Sequence, residues 1–159
     1  YNHKPTGRPN ALDTVVWSHY TDVPNSPLFP FGYGLSYARF EYSEPRLSAN
    51  EIGLDDKLNI TVTVKNTGKR AGTEIVQLYT RDLVGSVTRP VKELKGFQKI
   101  SLEPGEEGAV TFTLSASDLA FYNGAGKWEA EPGTFKVFVG GNSRDVKEAQ
   151  FTLKATARQ

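Results

Sequence analysis

The sequence predicts an all-β sandwich, and three observations carry that expectation. Short runs alternate strictly between apolar and polar residues, clusters of turn formers separate them, and helical periodicity is confined to one brief hint. Seven segments read as strands: Phe40 to Leu47, Leu58 to Asn66, Glu74 to Arg81, Val91 to Leu102, Glu107 to Leu114, Thr134 to Gly140 and Lys147 to Ala155.

In LNITVTVKN, Leu58, Ile60, Val62 and Val64 alternate with Asn59, Thr61, Thr63 and Lys65, the pattern of a strand with one buried and one wet face. TFKVFVGG repeats it with Phe135, Val137 and Val139. The stretches NTGKRAG, EPGEEG, YNGAGK and EPG supply glycine and asparagine where reversals need them. About seven strands with turns at this spacing point to a β-sandwich of immunoglobulin or fibronectin type III kind. SASDLAFY carries the helical hint, a Ser or Asp cap before one short turn that bridges the two sheets.

Upstream of residue 40 the texture differs. Pro5, Pro9, Pro24, Pro27 and Pro30 crowd this part, with Pro45 just beyond, and neither period is sustained. Residues 1–39 therefore read as the end of a preceding domain and an extended linker, 40–155 as the sandwich and 156–159 as a tail. Within the linker, PLFPFGYGLSY (Pro27 to Tyr37) read at period two projects Phe29, Phe31, Tyr33, Leu35 and Tyr37 to one side. An aromatic face on an extended ribbon is suited to docking against protein, each ring burying roughly 150–250 Å². Trp17, Tyr20 and the same rings could alternatively stack on sugars, as in a carbohydrate-binding module, but they cluster in the linker rather than on the strands.

A chain of 159 residues suffices for one domain with a core and an appendage. With 19 Lys and Arg against 18 Asp and Glu, net charge +1 gives no long-range field to draw nucleic acid, and no apolar run is long enough to insert into a membrane. Cysteine is absent, which excludes thiolate chemistry and a disulfide framework. The opening YNHKPTGRPN, without an initiating methionine, reads as a fragment of a longer polypeptide.

Catalytic constellations are weak. His3 and His19 have no ligand spacing, so no metal or cofactor is expected. Glu129 and Glu131 in KWEAEPG would share a strand face at about 7 Å, a separation near those of glycosidase carboxylates, yet acids running into a turn are normally solvated. No G-x-S-x-G elbow occurs.

YNHKPTGRP, PLFPFGYGLSYARF, NTGKRAGTEIVQLY, RPVKELKGFQKISLEPGE and GTFKVFVG, in that order, resemble the C-terminal region of bacterial β-glucosidases of glycoside hydrolase family 3. The resemblance spans Tyr1 to about Leu153. It implies a parent with a catalytic barrel, an α/β sandwich domain and then this linker and fibronectin type III-like domain; the catalytic aspartate and glutamate would lie in the first two and match no position here. The chain alone is then no enzyme but an accessory part of a retaining hydrolase of β-glucosides or short oligosaccharides, periplasmic or secreted. Phe29, Phe31, Tyr33, Leu35 and Tyr37 would dock on the missing domains, and His3 and Arg8 would serve structure. Ala38, Arg39 and Tyr33 depart from commoner family residues. DLVGSVTRP, a long polar loop between strands, is the candidate for bordering the substrate entrance, through Asp82, Ser86, Thr88 and Arg89.

Overall fold

The computed structural model describes residues 3–4 and 26–155, which hold eleven strands in three sheets and one helical turn. The first sheet is built on β4 (Lys57–Asn66), flanked by β7 (Glu107–Ser115) on one edge and by β1 (Phe40–Tyr42) and β2 (Arg46–Leu47) in succession on the other. The second runs in the order β3 (Glu51–Ile52), β11 (Val146–Leu153), β10 (Gly133–Gly140), β5 (Gly72–Asp82), β6 (Glu93–Leu102). β8 (Phe121–Tyr122) and β9 (Trp128–Glu129) form a separate two-stranded hairpin.

Alternation governs the core as expected. Leu58, Ile60, Val62 and Val64 of β4 meet Val76 and Leu78 of β5, Val110, Phe112 and Leu114 of β7, and Phe135, Val137 and Val139 of β10 in one buried cluster. Phe135 and Phe151, register partners on β10 and β11, stack side by side in it with ring centroids 5.5 Å apart. All seven expected strand segments are strands, with three differences.

The segment from Phe40 to Leu47 is broken rather than continuous. Tyr42 pairs with Val64 and Arg46 with Thr61, so four steps on one side answer three on the other, a one-residue bulge. Pro45, which has no N–H to give, sits in the break. Val91 and Lys92 lie before β6, and β11 ends at Leu153 instead of Ala155. Three short strands, β3, β8 and β9, escape the sequence pattern because two residues carry no period.

The helical turn is α1 (Ala116–Leu119), between β7 of the first sheet and the β8–β9 hairpin that leads to β10 of the second. The Asp118 carboxylate accepts the Ser115 backbone N–H at 2.8 Å and its hydroxyl at 2.6 Å. Those bonds hold the Asp118 carboxyl below its ordinary pKa, the hydroxyl bond contributing most.

Where the two sheets meet, Tyr42 and the half-buried Glu74 converge on Gly141. A Cβ there would stand 2.9 Å from a Glu74 carboxylate oxygen and 3.3 Å from the Tyr42 hydroxyl. Burial raises the Glu74 pKa, and the phenol of Tyr42 is raised by burial and then by the Glu74 charge. A carboxylate whose folded pKa exceeds its unfolded value near 4.5 favours the protonated form in the fold, so its ionisation subtracts stability as pH rises through the folded pKa. Glu74→Gln should therefore be more stable than the parent sequence at pH 8, and the difference should shrink as the pH is lowered to 4, below the unfolded value. Parallel urea titrations of both chains at the two pH values measure this.

Candidate functional site

The ribbon is not a continuous extended strand. Tyr33 donates its N–H to the Pro30 carbonyl at 2.9 Å, closing a turn in which Gly32 has φ +81°. The period-two expectation fails here because a left-handed glycine reverses the chain and places Phe31 at a corner. The turn brings Phe29 and Tyr33 together, ring centroids 5.2 Å apart. All five expected docking residues are exposed, Leu35 at 93% and Tyr37 at 88%, and so is their neighbour Leu28. Trp17, Tyr20, Arg8 and His19 lie outside the described residues.

One part of the ribbon is fastened to the sandwich. Pro30 is buried, and the Phe31 carbonyl accepts the Ser143 N–H at 2.8 Å. Gly32 lies against the Gln77 amide, whose nitrogen donates to the Gly141 carbonyl at 2.7 Å and whose oxygen accepts the Tyr79 hydroxyl. Lys92 donates to the Ser143 carbonyl at 2.6 Å and lies over the Phe138 ring, 4.8 Å from its centroid. This covering explains why β5 is buried on both faces from Val76 to Thr80, where alternation alone leaves one face wet. Phe97, the cross-strand partner of Gln77, shares that outer face and is 68% exposed, extending the ribbon's apolar surface onto the sheet.

Gly32→Ala tests the clip. A Cβ would fall 2.3 Å from the Gln77 amide nitrogen, at a φ that L-residues rarely adopt. The variant should lose roughly 1–2 kcal/mol and should expose the Ser143 amide to faster hydrogen exchange.

The loop between β5 and β6 is ordered by its own side chains. Asp82 accepts the Val84 N–H at 3.1 Å, and the Ser86 N–H donates to Glu131 at 2.8 Å. Arg89 pairs with Glu93 and lies over the Phe121 ring at 4.2 Å, while Lys95 reaches the other Glu93 oxygen at 3.0 Å. Burial raises the Asp82 pKa, offset in part by the Val84 N–H and then by the Arg89 charge. Ser86 and Thr88 are exposed, whereas Asp82 and Arg89 are half-buried, and Asp82 Oδ2 and Arg89 Nε are buried without a hydrogen-bond partner among the described residues.

Glu129 and Glu131 do not form a carboxylate pair. Glu129 accepts the Asn123 amide at 2.6 Å and belongs to the hairpin turn, whereas Glu131 holds the loop through Ser86. Among the described residues no three His, Cys, Asp or Glu converge as metal ligands would, and no helix is long and apolar enough to cross a membrane.

The structure adds residues that sequence reasoning passed over. Gln77 and Ser143 carry no signal in isolation, since their role depends on a chain segment lying over the sheet. Tyr122 and Trp128 were legible in principle, because FYNGAGKW places an aromatic on either side of a turn. Their rings meet edge to face at 5.0 Å and line one cleft with the loop.

Residues 74–143 match the model of the fibronectin type III-like domain. That stretch is a fibronectin type III-like domain, and the chain around it is similar to one part of β-glucosidases. The periplasmic β-glucosidase of Salmonella typhimurium is 46% identical over 155 residues, 96% of this chain and 20% of the relative. The β-glucosidase BoGH3A of Bacteroides ovatus is 51% identical over 137 residues, 85% of this chain and 18% of the relative. Among solved structures, the β-glucosidase of Listeria innocua superposes with a TM-score of 0.90 at 44% identity, covering 98% of this chain and 22% of that one. The chain thus spans about a fifth of the length of the relatives it matches.

Proposed function

We propose that this fibronectin type III-like domain is a non-catalytic accessory part of a retaining β-glucosidase, docked on the barrel and α/β sandwich domains of the same enzyme. One observation carries the reading: an exposed aromatic ribbon is clipped by its backbone to the outer sheet face, which holds its side chains outward beside Phe97. A contiguous apolar patch of this kind on a soluble domain marks an interaction site. Phe29, Phe31, Tyr33, Leu35 and Tyr37 are the docking residues. The hydrolytic aspartate and glutamate belong to the other domains, and the loop 82–90 borders the substrate path through Ser86 and Thr88. A periplasmic or secreted enzyme is the setting, supported by the periplasmic Salmonella relative.

The test is to prepare the complete enzyme with and without residues 40–155. Loss of the domain should lower the midpoint of thermal inactivation and leave the retained stereochemistry of β-glucoside hydrolysis unchanged. Equal heat resistance of the two forms would refute the stabilising role, and hydrolysis by the 159-residue chain alone would refute the non-catalytic one.

A further inference from the structure

We propose that the cleft between the loop 82–90 and the β8–β9 hairpin is a saccharide site, taking a neutral oligosaccharide of β-linked glucosyl units with Trp128 and Tyr122 as its stacking platform. The inference rests on the chain being part of a β-glucosidase and adds a subsite on the accessory domain itself.

The cleft has a volume of about 500 Å³, within the roughly 300–1,000 Å³ of small-molecule sites. Trp128 is 61% and Tyr122 68% exposed. Their edge-to-face contact fixes both ring orientations while each keeps a side in solvent. A glucosyl ring presents C–H groups on its faces, and these carry the partial positive charge that the negative face of an aromatic ring attracts.

The polar rim has unspent hydrogen-bonding capacity of both signs. Lys95 gives one N–H to Glu93 and keeps two. Asp118 has one oxygen committed to Ser115, and Thr88 is exposed. Glu93, by contrast, is occupied by Arg89 and Lys95 together. Fixed donors and acceptors of mixed charge around an aromatic platform suit hydroxyls, each of which donates and accepts.

A protein surface suits this cleft poorly. Covering it would strip water from Lys4, Lys95 and Asp118 with incomplete replacement, a cost that uncharged apolar docking avoids. The ribbon and Phe97 offer that apolar alternative on the sheet face. Lys4 lines the cleft, and the neighbouring His3 carbonyl accepts the Val91 N–H at 2.9 Å, so the chain arriving from the rest of the enzyme passes at the rim. A glucan bound there would lie beside the junction of the two parts.

The probe is cellotriose titrated into the ¹⁵N-labelled 159-residue chain, following the Trp128 indole N–H, identified as the signal missing in Trp128→Phe, together with the backbone amides of Thr88, Asp118 and Tyr122, which report binding in the variant that lacks the indole. We expect a saturable shift by ~10 mM, reduced at least tenfold in apparent affinity by Trp128→Ala and by Thr88→Val. The rest of the spectrum should be unchanged in both variants. No shift up to that concentration overturns the site, as does a shift that survives both substitutions. So does a Trp128→Ala substitution that lowers the melting point of the complete enzyme without changing cellotriose binding, which would make the hairpin a docking element. Hydrolysis of a simple β-glucoside by the complete enzyme is measured separately, so failure of the parent assignment is distinguishable from failure of the subsite.

Discussion

Replacing Phe29 and Tyr33 together by serine should weaken the association of this domain with the rest of its enzyme by roughly 1.5–3 kcal/mol, or about 10- to 150-fold. The estimate takes about half of the full burial value for two large apolar side chains, since both rings are already partly covered in the domain. The isolated chain should melt at nearly its original temperature, because neither ring belongs to the sandwich core and the Pro30–Tyr33 turn is a backbone bond. The measurement is binding of the separately produced chain to the remaining domains, with circular dichroism of the chain as the folding control. Unchanged binding would remove the ribbon from the docking surface. A large drop in the chain's own melting point would instead assign its aromatics to local packing.

Asn66→Asp should be the most damaging single-atom exchange in the sandwich, costing about 3 kcal/mol or more. Asn66 is fully buried. Its amide nitrogen donates to the Arg70 carbonyl at 2.8 Å and the Leu102 carbonyl at 3.0 Å, and its side-chain oxygen accepts the Gly68 N–H at 2.9 Å. Its backbone accepts from Gly105 and donates to Glu106. One residue therefore ties together the end of β4, the turn to β5 and the turn between β6 and β7. Aspartate keeps the shape but, protonated, has one O–H for two carbonyls and, ionised, has no donor and faces them with a buried charge. Asn66→Ala leaves the same carbonyls unpaired without the charge and should be the milder variant. Equilibrium urea unfolding ranks the two; equal stability of Asn66→Asp and the parent sequence would refute the assignment.

Asn66 also shows where sequence reading ends. NTGKRAG marks a turn through its composition, but nothing in it says that the asparagine faces inward and binds a carbonyl 36 residues away. The strands were legible because burial on a sheet has period two, and the core positions of β4 and β7 follow it residue by residue, whereas β10 is buried on both faces from Val137 to Gly140. β5 departs from the rule at Gln77 and Tyr79, since a second layer lies on the face that alternation assigns to water. The ribbon was recognisable as adhesive from its aromatics, and its fold was hidden in one glycine. Gly32 and Gly34 look alike in the sequence, yet a left-handed turn forms only at Gly32. The cleft was the least legible feature, because its two walls, the loop 82–90 and Trp128, lie far apart in the chain and meet only through the crossover that carries α1.

The short parallel pairing of β3 with β11 sets a condition on the order of assembly. Thr152 and Leu153 lie beside Glu51 and Ile52, and the Thr152 and Lys154 N–H groups donate to the Asn50 and Ile52 carbonyls. About a hundred residues must therefore leave the ribosome between the two halves of that contact, and the five-stranded sheet stays unfinished until the second half emerges. A growing chain stopped short of Val146 would present β10, with Phe135, Val137 and Val139, along an open flank ready to recruit another chain. Nascent forms of this protein are consequently most prone to stick to one another just before synthesis of β11, and chaperone engagement should concentrate in that interval.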